Sequence, residues 1–230
     1  MSITLSDLSP EARAFVEQTV ADAAVAFKAF RETNTTTANG TVGFIERIPG
    51  EDLLVSVNDP GPFNWKNKQL TPSLSVLSGP GRYNKLFQQF PEVTTISHVH
   101  TPALGAWAQT HRTLPIRYVP VQRHKLFTEL PVYIDRRQQE VDFIIDQLRI
   151  NPHLTAILEA NGGATVWGFK GLRETAEFIQ ILEEGATIQI AAEAIGGSRN
   201  FGPGVLAQQF KMSGLTEQAL ELGLLPITDR

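Results

Sequence analysis

Apolar residues recur along the chain at two spacings, which predict helices and strands in alternation. A first helix begins at Ser9-Pro10, where serine is a favoured N-cap and proline a favoured first helical residue. Its apolar residues lie three or four positions apart and form one face: Val16, Val20, Ala23, Phe27 and Phe30. A polar run of threonines and Asn39-Gly40 then ends the helix. The chain therefore opens with one long amphipathic helix.

Further segments follow the same two patterns and give the predicted order of elements. We expect strands over residues 41–48, 52–57, 93–101, 116–121, 156–158 and 164–169. Helices are predicted through 86–90, over 103–111 and 136–150, from 172 to about 196, and as one short final helix. Tight turns join neighbouring strands at Pro49-Gly50 and Asn161-Gly162-Gly163. The sequence thus predicts one α/β domain over residues 1–230, with a sheet that is not purely parallel.

Composition narrows the classes of function. Hydrophobic residues make up 42% of the 230 residues and charged residues 19%, which is typical of a globular protein. The formal net charge of −4 argues against nucleic acid and anionic membrane as partners. The sequence shows neither an apolar run long enough to span a bilayer nor a signal-peptide pattern, so we expect a cytoplasmic protein.

The chain contains no cysteine, so a transition metal would have to be bound by imidazole and carboxylate groups. Only five histidines are present. In the segment His98-Val99-His100, strand geometry places both imidazoles on one face, about 6–7 Å apart at the backbone. Both rings can then reach one ion. The alternative is a pair of hydrogen-bonded surface histidines, and spacing alone does not identify a third ligand.

Several stretches, in this order, resemble the class II aldolase/adducin family. They are Asn39-Gly40-Thr41-Val42, Phe90-Pro91-Glu92-Val93, His98-Val99-His100-Thr101, Ala106-Trp107-Ala108-Gln109, Leu114-Pro115, Ala160-Asn161-Gly162-Gly163, Trp167-Gly168 and the helix over residues 172–192. The match spans about residues 10–195. It implies a single-domain α/β/α sandwich around a mixed, mainly antiparallel sheet.

The resemblance also implies a divalent metal, most often zinc, with manganese or iron as alternatives. Members of the family bind it through three histidines. Two of these match His98 and His100, whereas the third matches Gly162, which cannot be a ligand. A homotetramer with active sites between subunits is implied too, and the tail from about residue 196 would then reach a neighbouring subunit.

Two further departures from the family concern substrate and acid–base residues. The family's Ser-Ser-Asp/Glu run, in which the serines hold the substrate phosphate, is replaced here by Ser78-Gly79-Pro80-Gly81-Arg82, which has no carboxylate. The acid–base aspartate is absent from His124-Lys125-Leu126-Phe127. A non-phosphorylated substrate that carries a carboxylate is therefore expected, because the planar fork of arginine suits that group.

The candidate residues are assigned on this basis. His124 or Glu159 would complete the metal shell or transfer protons, and the third candidate catalytic residue is Arg117. The candidate substrate-binding residues are Asn39, Arg82, Tyr118 and Arg123.

Two functions are compatible with these features. The first is a metal-dependent lyase that performs retro-aldol cleavage or decarboxylation on a small oxo or hydroxy acid. The alternative is a non-catalytic, adducin-like assembly domain, suggested by the loss of the third histidine and of the family carboxylate. The retained histidine pair favours the enzyme.

Overall fold

The structure is a computed structural model that describes residues 3–64, 69–123 and 125–225. A short 3-10 helix (Leu5–Asp7) precedes eight α-helices within this part of the chain. The helices are α1 (Pro10–Glu32), α2 (Asn84–Gln89), α3 (Pro102–Ala108), α4 (Val119–Gln122), α5 (Glu140–Ile150), α6 (Leu172–Ala194), α7 (Val205–Ser213) and α8 (Thr216–Glu221). The strands are β1 (Val42–Arg47), β2 (Leu53–Asn58), β3 (Ser73–Val76), β4 (Thr95–Val99), β5 (Leu114–Pro115), β6 (Glu129–Leu130), β7 (Val132–Tyr133), β8 (Ala156–Glu159) and β9 (Ala164–Gly168).

Seven of the strands in the described residues form one central sheet in the order β3-β2-β1-β4-β9-β8-β7. Every pairing in it is antiparallel except that of β7 with β8. The short strands β5 and β6 pair separately. The predicted α/β fold with a mixed, mainly antiparallel sheet is therefore confirmed.

Helices cover both faces of the sheet. On one face, Thr95 of β4 and Thr19 of α1 both donate hydrogen bonds to the buried carboxylate of Glu46, and α6 packs beside α1. Alternation along β4 turns His98 to the opposite face, which contains Tyr83 at the start of α2 and the first turn of α5. The candidate site therefore lies between the sheet and the α2–α5 layer.

The helix after the histidine strand is fixed by a buried glutamate. Glu183 of α6 is 7% exposed and accepts hydrogen bonds from the backbone N–H groups of Ala103 and Leu104 at the first turn of α3. It also accepts one from the hydroxyl of Thr101. Because these N–H groups have no partner within the helix, the carboxylate completes its N-terminus and anchors the end of β4.

Two differences from the predicted elements concern residues 116–121 and the tail. Residues 116–121 were predicted to be a strand, and this prediction is wrong, because the strand ends at Pro115 and a helical turn begins at Val119. Pro120 is compatible with the first turn of a helix but cannot donate to a strand ladder. The tail forms two helices instead of one, and Phe210 packs in a small cluster with Leu126, Ala219 and Leu225.

None of the helices in the described residues has the length and apolar character needed to cross a membrane.

Candidate metal centre

The pairing of β4 with β9 determines which groups face His98. His98 lies directly opposite Thr165 in the antiparallel register, so the two side chains share one face of the sheet. The ring Nδ1 of His98 is 3.3 Å from the hydroxyl oxygen of Thr165. Thr165 is fully buried, and it links the histidine strand to the carboxylates described next.

Two buried glutamates converge on His98 from different elements. Glu159, at the end of β8, places Oε1 2.7 Å from His98 Nδ1. Glu140 is the first residue of α5 and places Oε1 2.5 Å from the Thr165 hydroxyl, which is 3.1 Å from Glu159 Oε1. His98, Glu140 and Glu159 each offer one ligand atom, and these atoms lie within 4.8 Å of one another.

Two arginines neutralise the pair of carboxylates. Arg82 contacts Glu140 Oε2 through Nε at 2.8 Å and through Nη2 at 2.5 Å, and its Nη2 is also 3.4 Å from Glu159 Oε1. Arg136 donates to Glu159 Oε2 at 3.2 Å and to the carbonyl oxygen of Ala160. Both arginine side chains are about half exposed, whereas the glutamates are almost fully buried. The site is thus charged, with its cations on the outer side.

The charges and the burial affect the pKa values in the site. Burial alone raises the pKa of Glu159, but the hydrogen bond and charge of His98, together with the charge of Arg82, lower it to about 2. Burial, followed by the adjacent Glu140, raises the pKa of the Tyr83 phenol, whose hydroxyl donates to Glu140. Glu159 is therefore an anion and Tyr83 a neutral donor at neutral pH.

His100 lies beside His98, and their ring centroids are 5.0 Å apart. Burial, reinforced by the neighbouring His98, lowers the pKa of His100. The ring is consequently neutral near pH 7, which is the form that binds a metal.

The two glycines of one turn, Gly162 and Gly163, differ in the space available for a side chain. A Cβ placed on Gly162 would have Glu159 Cβ and O at 3.4 Å as its nearest neighbours, and Arg136 Nη2 at 3.7 Å. A Cβ on Gly163 would lie 2.1 Å from the carbonyl oxygen of Val99 and 2.7 Å from His100 Cδ2. Position 162 has room for a side chain, and the guanidinium of Arg136 lies next to that space.

A cleft of about 310 Å³ adjoins this cluster. Arg82, Tyr83 and His98 line it together with residues that include Gly40 and Thr41. The cleft therefore gives a small molecule access to His98 and to the exposed side of Arg82. Asn39, next to Gly40, accepts a hydrogen bond from Thr41 and is exposed.

The donor set can be compared with the needs of a divalent ion. Imidazole and carboxylate ligands suit zinc, manganese and iron. His98, Glu140 and Glu159 supply both types within the spacing given above, and a neutral His100 lies beside them. The residues present therefore fit a divalent metal, although no third histidine is available at Gly162.

The structure brings together only some of the residues named from the sequence. His98, His100, Glu159 and Arg82 lie in the cluster, and Asn39 lies next to its cleft. The other candidates have partners elsewhere: Arg117 binds Ser198, Tyr118 binds Glu184 and Arg123 binds Gln209. His124 lies outside the described residues.

Glu140, Arg136, Tyr83 and Thr165 are the cluster residues that the sequence did not identify. Thr165 carried a usable signal, because it is a polar residue inside the apolar segment 164–169 and is fully buried. Glu140 had none, since an acidic residue in the first turn of a helix is ordinary.

The sequence matches one known protein family. Residues 22–190 match the family described as Class II Aldolase and Adducin N-terminal domain. No curated protein matches the sequence significantly.

Solved structures show the same fold at low sequence identity. An L-fuculose 1-phosphate aldolase superposes with a TM-score of 0.67 at 14% identity, covering 86% of this chain and 96% of that one. An L-fuculose 1-phosphate aldolase from Glaciozyma antarctica PI12 gives a TM-score of 0.66 at 17% identity, with coverages of 97% and 92%. An aldolase II superfamily protein from Pseudomonas syringae gives 0.66 at 15%, with coverages of 95% and 94%.

Proposed function

The chain belongs to the class II aldolase and adducin family, and on that premise we propose that it is a metal-dependent lyase. The reaction is retro-aldol cleavage or decarboxylation of a small, non-phosphorylated carbonyl compound that carries a carboxylate. The observation that carries the proposal is the convergence of His98, Glu140 and Glu159 beside a cleft that Arg82 also lines.

We assign the metal to His98 and His100, with Glu159 as the further ligand and Glu140 next to it. Zinc is the first candidate, and manganese or iron are alternatives because carboxylate ligands suit them. When bound, a divalent ion supplies a Lewis acid for the oxygen of the substrate carbonyl. As a ligand, the anionic Glu159 would give the ion a negative charge, which a neutral histidine in the same role would not.

The remaining roles are substrate binding and proton transfer. Arg82 binds the substrate carboxylate through its exposed side, because guanidinium and carboxylate pair in a fork. Glu159 is too weak a base for proton transfer at neutral pH, since its pKa is lowered to about 2. We keep His124 as the candidate acid–base residue, an assignment that rests on the sequence alone.

Residues 78–82 contain one serine and no carboxylate in place of the family's Ser-Ser-Asp/Glu run, and this supports a non-phosphorylated substrate. A panel of hydroxy- and oxo-acids, tested beside phosphorylated sugars, separates these classes by the aldehyde, oxo-acid or carbon dioxide that is released. We also propose that the protein is a cytoplasmic homotetramer. Light scattering tests the tetramer through the molar mass in solution.

An adducin-like assembly domain is the second candidate. The observation that favours it is that Arg82 and Arg136 already neutralise Glu140 and Glu159 without an ion. In that function the charged cluster would be a structural network. The purified protein would contain no metal, and added metal would not change its thermal stability.

Metal content distinguishes the two candidates. We expect the purified protein to contain close to one zinc, manganese or iron ion per chain by elemental mass spectrometry, and to lose thermal stability on chelation. His98→Ala should abolish the bound metal. His153→Ala is the matched control and should retain it, because the backbone of His153 bonds to Asn151, away from the cluster. Metal at background level in a stable wild-type protein would contradict the enzyme and favour the assembly domain.

A further inference from the structure

Arg82 occupies the position of a cation within the donor set. Its Nη2 atom is 2.5 Å from Glu140 Oε2 and 3.4 Å from Glu159 Oε1. Glu159 Oε1 is the same atom that lies 2.7 Å from His98 Nδ1. The guanidinium thus contacts two of the three residues that could hold a metal ion.

Arg136 approaches the same carboxylate differently. It contacts Glu159 Oε2, at 3.2 Å, and the carbonyl oxygen of Ala160, but it is not paired with Glu140 in the described residues. Of the two arginines, only Arg82 uses the oxygen that faces His98. A divalent ion between the donors would therefore compete with Arg82 for oxygen atoms and would also repel it.

The Arg82 side chain lies beside open space that it could occupy without its contacts to the two carboxylates. Its side chain is 50% exposed and lines the cleft of about 310 Å³ beside His98. The guanidinium carbon lies 5.1 Å from the centroid of the Tyr83 ring, whose face can support a cation in more than one orientation. The cleft therefore offers space into which the side chain can turn.

We propose that Arg82 is a resident cation that yields Glu140 and Glu159 to the metal and turns into the cleft to receive the substrate carboxylate. Metal loading and substrate binding are thereby coupled through one side chain. This inference rests on the proposed function, because it requires a metal at the cluster.

Titration of metal-free protein with Zn²⁺ and Mn²⁺ in a calorimeter tests the competition. Arg82→Gln removes the competing charge, and we expect it to bind the ion about tenfold more tightly than wild type. Arg82→Lys keeps a cation and should remain closer to wild type. Arg136→Gln is the matched control, and its affinity should change less than that of Arg82→Gln.

A measurement on the wild-type protein keeps the proposal testable if Arg82→Gln does not fold. Arginines are modified with phenylglyoxal, with and without saturating metal, and the modified sites are mapped by peptide mass spectrometry. Arg82 should become more reactive with metal. Arg137, whose side chain is 91% exposed and pairs with Asp135, should not change.

The outcomes separate the two levels of the proposal. Equal or weaker metal binding by folded Arg82→Gln, or unchanged Arg82 reactivity in metal-loaded wild type, overturns the displacement of Arg82 and leaves the lyase standing. A wild-type protein that binds neither ion overturns both.

Discussion

The adjacent glycines Gly162 and Gly163 have different steric requirements although they share one turn. Alanine at 163 would place its Cβ 2.1 Å from a backbone oxygen of the histidine strand, whereas alanine at 162 meets only ordinary contacts. We expect Gly163→Ala to lower the free energy of unfolding by about 1–3 kcal/mol, because a backbone atom must move. Gly162→Ala should change it by well under half of that. Urea denaturation measures both, and equal effects would contradict the assigned packing.

Some residues of the site could be predicted from the local sequence and others could not. The shared face of His98 and His100 follows from the alternation of a strand, which is a local property. Glu159 could be inferred because it precedes the turn at Gly162. The position of Glu140 depends on how α5 packs on α2 and the sheet, and no local pattern encodes that packing.

Among the elements, α3 depends most directly on one distant side chain. Glu183→Ala would leave the N–H groups of Ala103 and Leu104 without the acceptor they now have. We expect a loss on the order of 2–3 kcal/mol in the free energy of unfolding, since buried N–H groups are costly to leave unpaired. Glu184→Ala is the control, because Glu184 is exposed and bonds only to Tyr118 among the described residues. Thermal and urea unfolding compare the two variants, and a Glu183 effect no larger than that of Glu184 would exclude the capping role.

The sequence predicted long amphipathic helices and buried apolar strands best. The long helix α6 and the hairpin of β8 and β9 agree with their predicted ranges within a few residues. The strands β3, β6 and β7 were not predicted, because strands of two to four residues carry too few positions to show alternation. Residues 116–121 were assigned a strand from apolar content, whereas packing against α6 selected a helical turn at Val119.

Over the whole molecule, the candidate metal centre is a product of the complete fold. Strand β4 contributes His98, and His100 follows directly after it. Strand β8 and helix α5 contribute the carboxylates, and β9 and the loop before α2 contribute the groups that connect them. Position 162 holds a glycine, and the buried carboxylate of Glu159 lies next to it. The central claim is therefore that a metal is bound by histidine and glutamate together.

Anomalous diffraction from crystals grown with Zn²⁺ or Mn²⁺ tests that claim most directly, because it locates the ion and its ligands at once. We expect an anomalous peak that marks an ion coordinated by His98, His100 and Glu159. In the same map, Arg82 should no longer bridge Glu140 and Glu159. A density map in which Arg82 still bridges the two glutamates, with no anomalous peak at the histidine pair, would contradict it.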